Sequence, residues 1–473
     1  MDNKVNMYIQ QIYTKCLAEA AYYVESNGEA AIIDPLRDID TYIDIAEQRN
    51  TTIKYVFETH FHADFVSGHV DLMNATGAEI VYGPTAQADY EITVAEDDQL
   101  FSLGDIQIKV LHTPGHTLES SCFLVLDQDG KEHSIFTGDT LFVGDVGRPD
   151  LAVSATTSRE DLAEMLYTSI IEKLKPLDSN TIMYPGHGAG SQCGKSLSSE
   201  TQSTLGAQLN SPCSLIANSQ ENFVSQVTSG LSSPPQYFPK NAHINKKGYN
   251  SSIHSIIKNS LTPISPELFN KELETSNTLI IDSRTPSVFS SGHISGALNV
   301  GLDGFFAVWI GTLVKDLNTR ILLVSEKEQE EDTIVRLARV GYENVIGYLD
   351  GGMDAWVNTA FSSDNIDSCC PSKFKLVHES FNVLDVRTAV EFSEGHLSNA
   401  INIPLAELQN HIDELDSNKT YYVHCKSGYR SVIAISILKK AGIRNVINVK
   451  KGYDAITNDI GCCSNNQQIE NKA

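Results

Sequence analysis

Up to about Asn250 the chain alternates short apolar runs with loops rich in Gly, His, Asp and Pro. The runs IKYVFET (53–59), IQIKVL (106–111), SIFT (134–137) and TIMYP (181–185) are rich in β-branched residues and bounded by turn formers, and they read as buried strands. Each ends just before a His or Asp cluster. A layered α/β or αββα domain gathers the ends of successive strands at one edge of its sheets, so clusters far apart in sequence can meet there. A softer stretch follows from Ser229 to about Ser260, where Pro234, Pro235 and Pro239 predict an extended strap that closes the first domain. From about Ile264 the pattern becomes strands alternating with helices.

That second half repeats itself. Asp282-Ser-Arg284 recurs as Asp385-Val-Arg387, Gly292-His293 as Gly395-His396, and Gly352-Met-Asp354 as Gly452-Tyr-Asp454, with offsets of 100 to 103 residues. A nearly constant offset of that size means two duplicated domains and excludes a short-period solenoid. The pairs Cys369-Cys370 and Cys462-Cys463 follow the two copies. The expected division is 1–255 for the first domain, 256–363 for the first copy and 371–463 for the second.

Length and charge narrow the classes. The 473 residues allow about three domains. With 35 Lys and Arg against 60 Asp and Glu, the formal charge is −25, which argues against nucleic acid or an anionic membrane as partner. The N-terminal stretch has no secretory-signal pattern, and no apolar run reaches spanning length, so a cytoplasmic protein is expected. Nine cysteines are too sparse for a disulfide framework and read as chemistry or core filling.

The strongest chemical signal is Thr59-His60-Phe61-His62-Ala63-Asp64-Phe65, with a helix expected from about Phe65. Three ligand-type side chains in five residues at a strand end suit a metal. Further candidates end later strands: His116 in HTPGHT, Asp139 in TGDT and His187 in YPGHG. His112 reads as structural, and His69 and His133 as surface residues. This order of motifs resembles the metallo-β-lactamase superfamily over roughly residues 8 to 250. That family's usual first motif is HxHxDH, and here Phe65 stands in the last position, which puts a dinuclear zinc hydrolase in doubt. HADF, with GRPDL (147–151) and GHGAGSQCGK (186–195), looks more like the persulfide dioxygenases. The resemblance implies an αββα sandwich and one Fe(II) per chain held by His60, His116 and Asp139, with His62, Asp64 and His187 orienting ligands or binding substrate. Cys193 lies in the last of these loops and is a candidate sulfur relay.

In the second copy the strand TYYVH runs into Cys425-Lys-Ser-Gly428-Tyr-Arg430, and the helix SVIAISILKKAG follows. A cysteine between a strand and a helix N-terminus meets backbone N–H groups and the helix dipole, which favour the thiolate. Lys426 and Arg430 add positive charge at the rim. With DVR, EGHLSNAINIP and the KKGYDA run, this segment resembles a rhodanese, a sulfurtransferase that carries sulfur as a cysteine persulfide. Its loop is one residue shorter than that of the cysteine phosphatases. The resemblance makes Cys425 the nucleophile, with Lys426, Gly428 and Arg430 binding substrate. In the first copy Glu326 takes the cysteine's place and an acidic EKEQEED follows, so that copy reads as a catalytically silent spacer. Cys16, Cys122 and Cys213 read as packing residues. Together the resemblances imply two further rhodanese-like α/β domains and an enzyme oxidising small-thiol persulfides with O₂ to sulfite. Cys425 would exchange sulfur between persulfide, sulfite and thiosulfate. A homo-oligomer is compatible with this family type. The rival is a zinc thioester hydrolase of the glyoxalase II type fused to rhodanese modules.

Overall fold

The structure is a computed structural model that describes residues 7–209, 219–231 and 233–458. Cys213, Cys462 and Cys463 lie outside the described residues. The chain divides into two compact units, Met1–Ile257 with Val335–Glu343, and Lys258–Ile334 with Asn344–Ala473.

The first unit is built on two six-stranded sheets. One orders β1 (Met7–Thr14), β2 (Glu19–Ser26), β3 (Glu29–Ile33), β4 (Thr52–Glu58), β5 (Glu79–Tyr82) and β6 (Thr93–Val94) in sequence; the other holds β7 (Leu100–Leu103), β8 (Ile106–His112), β9 (Ser121–Leu126), β10 (Glu132–Gly138), β11 (Ile182–Pro185) and β12 (Ser203–Thr204). The four runs singled out in the sequence form β4, β8, β10 and β11. Period-2 alternation explains how the sheets pack. On β9, Phe123 and Val125 enter the core shared with Tyr22 and Phe57 of the first sheet and Phe101 of β7, while Cys122 and Leu124 face the opposite core. Helices cover the outer faces: α1 (Asp40–Arg49) and α2 (His69–Thr76) pack on β4, and α3 (Arg159–Ser169), α4 (Leu205–Leu209) and α5 (Gln220–Thr228) join the opposite core.

Three expectations are corrected here. The stretch 229–260 is no extended strap, because it contains α6 (Phe238–Lys247) and α7 (Ile253–Ser260). Pro239 sits in the first turn of α6, where a missing N–H costs no helical hydrogen bond. The helix after the histidine motif starts at His69, not near Phe65. Residues 61–68 stay irregular because the Asn245 amide donates to the carbonyls of His62 and Phe65 (2.7 and 2.8 Å), and its oxygen accepts from the Ser67 N–H (2.9 Å). A side chain at Gly68 would collide with the Leu36 carbonyl at 2.1 Å, so glycine lets the loop pass. Finally, His69 is fully buried against Glu58 and Tyr90, and His133 is part-buried, so neither is a surface residue.

The second unit holds two five-stranded parallel sheets. Counting on from the first unit, their strands are β13 (Pro263–Ile264), β14 (Thr278–Asp282), β15 (His293–Ile294), β16 (Leu298–Asn299), β17 (Arg320–Val324), β18 (Val345–Leu349), β19 (Ser363–Asp364), β20 (Asp367–Cys369), β21 (Asn382–Asp385), β22 (Ala400–Asn402), β23 (Tyr421–His424) and β24 (Val446–Val449). The first sheet orders β13-β18-β17-β14-β16 and the second β20-β24-β23-β21-β22, while β15 and β19 form a small antiparallel pair. The orders match position for position, as a duplication requires. Cys369 is a free, buried thiol and Cys370 is disulfide-bonded. Among the described residues no helix is long and apolar enough to cross a membrane.

Candidate metal centre and cysteine loop

The ends of β4, β8, β10 and β11 meet at one edge of the first unit. His60, His116 and Asp139 offer ligand atoms that all lie within 4.8 Å of one another. Asp139 Oδ2 is 3.4 Å from His116 Nε2 and 4.0 Å from His60 Nε2, and none of these three atoms has a hydrogen-bond partner among the described residues. Buried lone-pair atoms left unpaired around one point fit a metal ion.

The imidazoles are oriented for this task. His116 Nδ1 faces the Arg148 carbonyl (2.9 Å), which can only accept, so Nδ1 carries the proton and Nε2 keeps its lone pair. His60 reaches the same state through Thr59. The Thr59 hydroxyl donates to Asp34 Oδ2 (2.9 Å) and so accepts from His60 Nδ1 (3.0 Å), while the Thr59 N–H donates to Asp34 Oδ1 (2.7 Å). Burial, followed by the neighbouring imidazoles, holds His60 well below the usual range, and burial lowers His116 against the pull of Asp139. Both are therefore neutral, as metal ligands must be. Gly147 is required here, since a Cβ would lie 2.0 Å from the Asp139 carbonyl and 2.8 Å from His116 Nδ1.

His62 stands apart from this set. Its Nε2 is 3.0 Å from Asp34 Oδ1 and 3.3 Å from Glu58 Oε2, and its ring stacks on Phe65 with centroids 4.3 Å apart. Burial alone would lower it, but Asp34 and Glu58 together outweigh burial and hold it well above the usual imidazole range. With Nε2 turned toward these two carboxylates, His62 groups with Asp34 and Glu58 and not with His60, His116 and Asp139. Asp64 and His187 instead form a second group with Cys193. His187 Nε2 is 3.3 Å from Asp64 Oδ2 and 3.5 Å from Asp139 Oδ1, so Asp139 stands between the two groups. Burial, then Asp64 and Asp139, pushes the Cys193 thiol well up. Cys193 thus supplies the third ligand-type atom of this second group.

Sequence reasoning passed over Asp34, Glu58 and Arg148. Asp34 follows β3 in AAIIDP and carries the same strand-end signal as the other clusters. Arg148 pairs with Asp150 at 2.6 Å while its carbonyl orients His116, and GRPDL hinted at this only through resemblance.

In the second unit Cys425 lies between β23 and the helix Tyr429–Lys440, 1 % exposed, and its Sγ accepts the Gly428 N–H at 3.1 Å. Gly428 needs its positive φ of 105° to turn that N–H inward. The loop is braced from below: Arg387 pairs with Asp385 at 2.6 Å and stacks on Tyr453, whose N–H donates to the Cys425 carbonyl at 2.7 Å. Lys426 is exposed at the rim. Arg430 is not a bare rim cation, because both its terminal nitrogens donate to Glu391 at 2.7 Å. Burial alone would raise Glu391, but Arg430 and the Thr388 N–H outweigh it and hold the carboxyl at about 2. Thr388-x-x-Glu391 reads in sequence only as a capping box, which hid this pair.

Comparison with known proteins adds the following. Residues 14–187 match the model described as metallo-beta-lactamase superfamily, and residues 265–359 and 372–459 each match the rhodanese-like domain. The chain is similar to a solved metallo-beta-lactamase from Staphylococcus aureus subsp. aureus COL, at 30 % identity and a TM-score of 0.63, covering 73 % of this chain and 99 % of that one. It is also similar to a cytoplasmic hydroxyacylglutathione hydrolase of Arabidopsis thaliana (34 % identity, 37 % of this chain and 66 % of that one). A probable hydroxyacylglutathione hydrolase of Schizosaccharomyces pombe matches at 31 % identity over 34 % of this chain and 60 % of its own. The chain thus spans less than two thirds of these two curated relatives.

Proposed function

The chain belongs to the metallo-beta-lactamase superfamily and carries two rhodanese-like domains, and from that premise we propose that it is an Fe(II) persulfide dioxygenase coupled to a sulfurtransferase. One observation carries this reading: His62 Nε2 lies 3.0 Å from Asp34 Oδ1 and 3.3 Å from Glu58 Oε2, in a different group from His60, His116 and Asp139, whose ligand atoms gather as a two-histidine, one-carboxylate face. Iron(II) held on such a face supplies open positions and the redox chemistry that dioxygen needs. The overall change balances as RSSH + O₂ + H₂O → RSH + SO₃²⁻ + 2 H⁺. Thr59 and the Arg148 carbonyl fix the ligand tautomers, and burial keeps bulk water from the reacting sulfur. In the second copy the Cys425 thiolate attacks the outer sulfur of thiosulfate, the S–S bond breaks, and sulfite leaves with the electron pair. The reverse step makes thiosulfate from sulfite and the Cys425 persulfide.

A second reading, a zinc thioester hydrolase, has one observation in its favour. Asp139 lies between the first group and Asp64, His187 and Cys193, an arrangement that suits a bridging carboxylate. Oxygen uptake by the iron-loaded protein with persulfides of glutathione, coenzyme A and bacillithiol separates the readings. We expect one sulfite per O₂ with at least one of them. Absent oxygen uptake together with rapid thioester hydrolysis would favour the rival.

A further inference from the structure

Val335–Glu343 belongs to the first unit, although its sequence lies inside the first rhodanese-like match, 265–359. It is the end of the helix Glu330–Ala338 and the turn that stops it: Gly341 takes a φ of 85°, and the Tyr342 N–H donates to the Leu337 carbonyl at 3.0 Å. A helix leaves its last carbonyls without partners of its own. Here the Arg339 carbonyl accepts, at 2.7 Å, the N–H of Val66 in the loop 61–68, which carries His62 and Asp64. Val66 is fully buried, so that N–H needs a protein partner. The Arg339 side chain reaches the same loop by a second route. Its Nε and Nη2 donate to the two oxygens of Asp38 at 2.9 and 2.8 Å, and Nη1 donates to Cys16 Sγ at 3.5 Å. Asp38 lies in the loop after β3, which begins at Asp34, the partner of His62. The Pro35 carbonyl in that loop accepts from the Ser67 hydroxyl (2.9 Å) and the Gly68 N–H (2.8 Å), so the two loops are tied together. Glu343 adds a further tie, because it pairs with Arg37, which is fully buried and lies over the Tyr249 ring at 4.1 Å.

We infer that Arg339 is a positioning residue for substrate binding at the metal centre: it holds the loop 61–68, and with it His62 and Asp64, in the place that the persulfide requires. The substrate named here rests on the dioxygenase reading; the hold on the loop rests on the contacts themselves. A bidentate guanidinium fixes its carboxylate in angle as well as in distance, so Asp38 and the loop tied to it keep one arrangement. The copy that lacks the cysteine thus lends the first unit a working part, which a spacer would not do.

The test uses the full-length, iron-loaded protein with Arg339→Ala, Arg339→Lys and Asp38→Asn, and follows hydrogen exchange as well as turnover. In Arg339→Ala the peptide covering residues 61–68 should exchange at least tenfold faster than in the wild type, with iron content unchanged. KM should rise at least fivefold for whichever of the three persulfides above the wild type oxidises fastest, while kcat changes less than twofold. Asp38→Asn should move both readouts in the same direction. Arg339→Lys keeps a cation for Asp38 and should bring KM back to within twofold of the wild type. Sulfur transfer at Cys425, which belongs to the second unit, should stay within twofold in all three. A merely structural arginine would instead lower the melting temperature and kcat and leave KM alone. That outcome, unchanged exchange at 61–68, or a parallel fall in sulfur transfer would overturn the proposal. Should Arg339→Ala fail to fold, Asp38→Asn decides alone. A wild type without oxygen uptake whose 61–68 peptide still exchanges faster on substitution would overturn the dioxygenase reading and leave the hold of Arg339 on the loop standing.

Discussion

The two rhodanese-like copies share a skeleton and differ in one loop. Arg284 pairs with Asp282 at 2.6 Å and donates to the Gly292 carbonyl at 2.9 Å; Arg387 pairs with Asp385 at 2.6 Å and donates to Gly395 at 2.8 Å. Asn299 and Asn402 each bridge the carbonyls of their own Asp and Arg at 2.9–3.0 Å. His293 and His396 both stack on the Phe four residues earlier, at 3.8 and 3.9 Å. Beyond β17 and β23 the copies part. Gly452 packs so tightly under the second loop that a Cβ would lie 2.3 Å from the Cys425 carbonyl, whereas Gly352 in the first copy has nothing within 4 Å. Where Cys425 receives the Gly428 N–H, the first copy has Glu326 and Gln329. Fold and loop chemistry are therefore separable here: duplication preserved the buried ion pair while the six-residue loop diverged, and the proposed sulfur transfer falls to the second copy alone.

The sharpest break in that comparison is Cys425→Ser. Sulfur transfer from thiosulfate to a thiol should fall at least a thousandfold, because a hydroxyl cannot hold sulfane sulfur, while oxygen uptake with persulfide continues and sulfite accumulates. Glu326→Cys added to that variant should restore nothing measurable, for want of the inward N–H. Thiosulfate made at the normal rate would refute the role of Cys425.

The shared skeleton predicts a symmetric effect. Arg284→Ala and Arg387→Ala each leave a fully buried aspartate unpaired, at a cost of about 3–5 kcal/mol, seen as a lower denaturant midpoint. Only Arg387→Ala should also slow sulfur transfer, since only Arg387 supports the cysteine loop through Tyr453. Equal loss of transfer in both would mean that the first copy takes part in catalysis.

The smallest effect concerns Glu391, which has no counterpart contact described in the first copy. Its carboxyl lies below its ordinary value when folded, so the Arg430 pair stabilises above about pH 4.5, and that contribution fades as pH falls toward about 2. Glu391→Gln should lower the melting temperature slightly at pH 7, and its deficit against the wild type should shrink between pH 4.5 and 2.5. A deficit that is constant with pH would show the pair to be electrostatically idle.

Much of this was legible in the sequence. Strand runs, the duplication and the strand-end ligands depend on local pattern, and the structure brings His60, His116 and Asp139 to one point. What stayed hidden depends on contacts made across the fold. That His62 turns away from the ligand set is set by Asp34 and Glu58 on neighbouring strands. The irregular loop at 61–68 is set by Asn245, some 180 residues later. Arg430 looked like a free rim cation because nothing in its own loop reveals Glu391. The stretch around Pro234 looked extended because three prolines outweighed the polar spacing of Tyr237, Asn241 and Asn245, whose apolar neighbours are too few to signal a helix.

The central claim is that His60, His116 and Asp139 hold one metal while His62 does not touch it. Metal analysis of the purified wild type and four alanine variants tests this most directly. The expected result is about one iron per chain in the wild type, loss of it in His60→Ala, His116→Ala and Asp139→Ala, and retention of most of it in His62→Ala. Two zinc ions per chain, or a loss in His62→Ala equal to the other three, would contradict it.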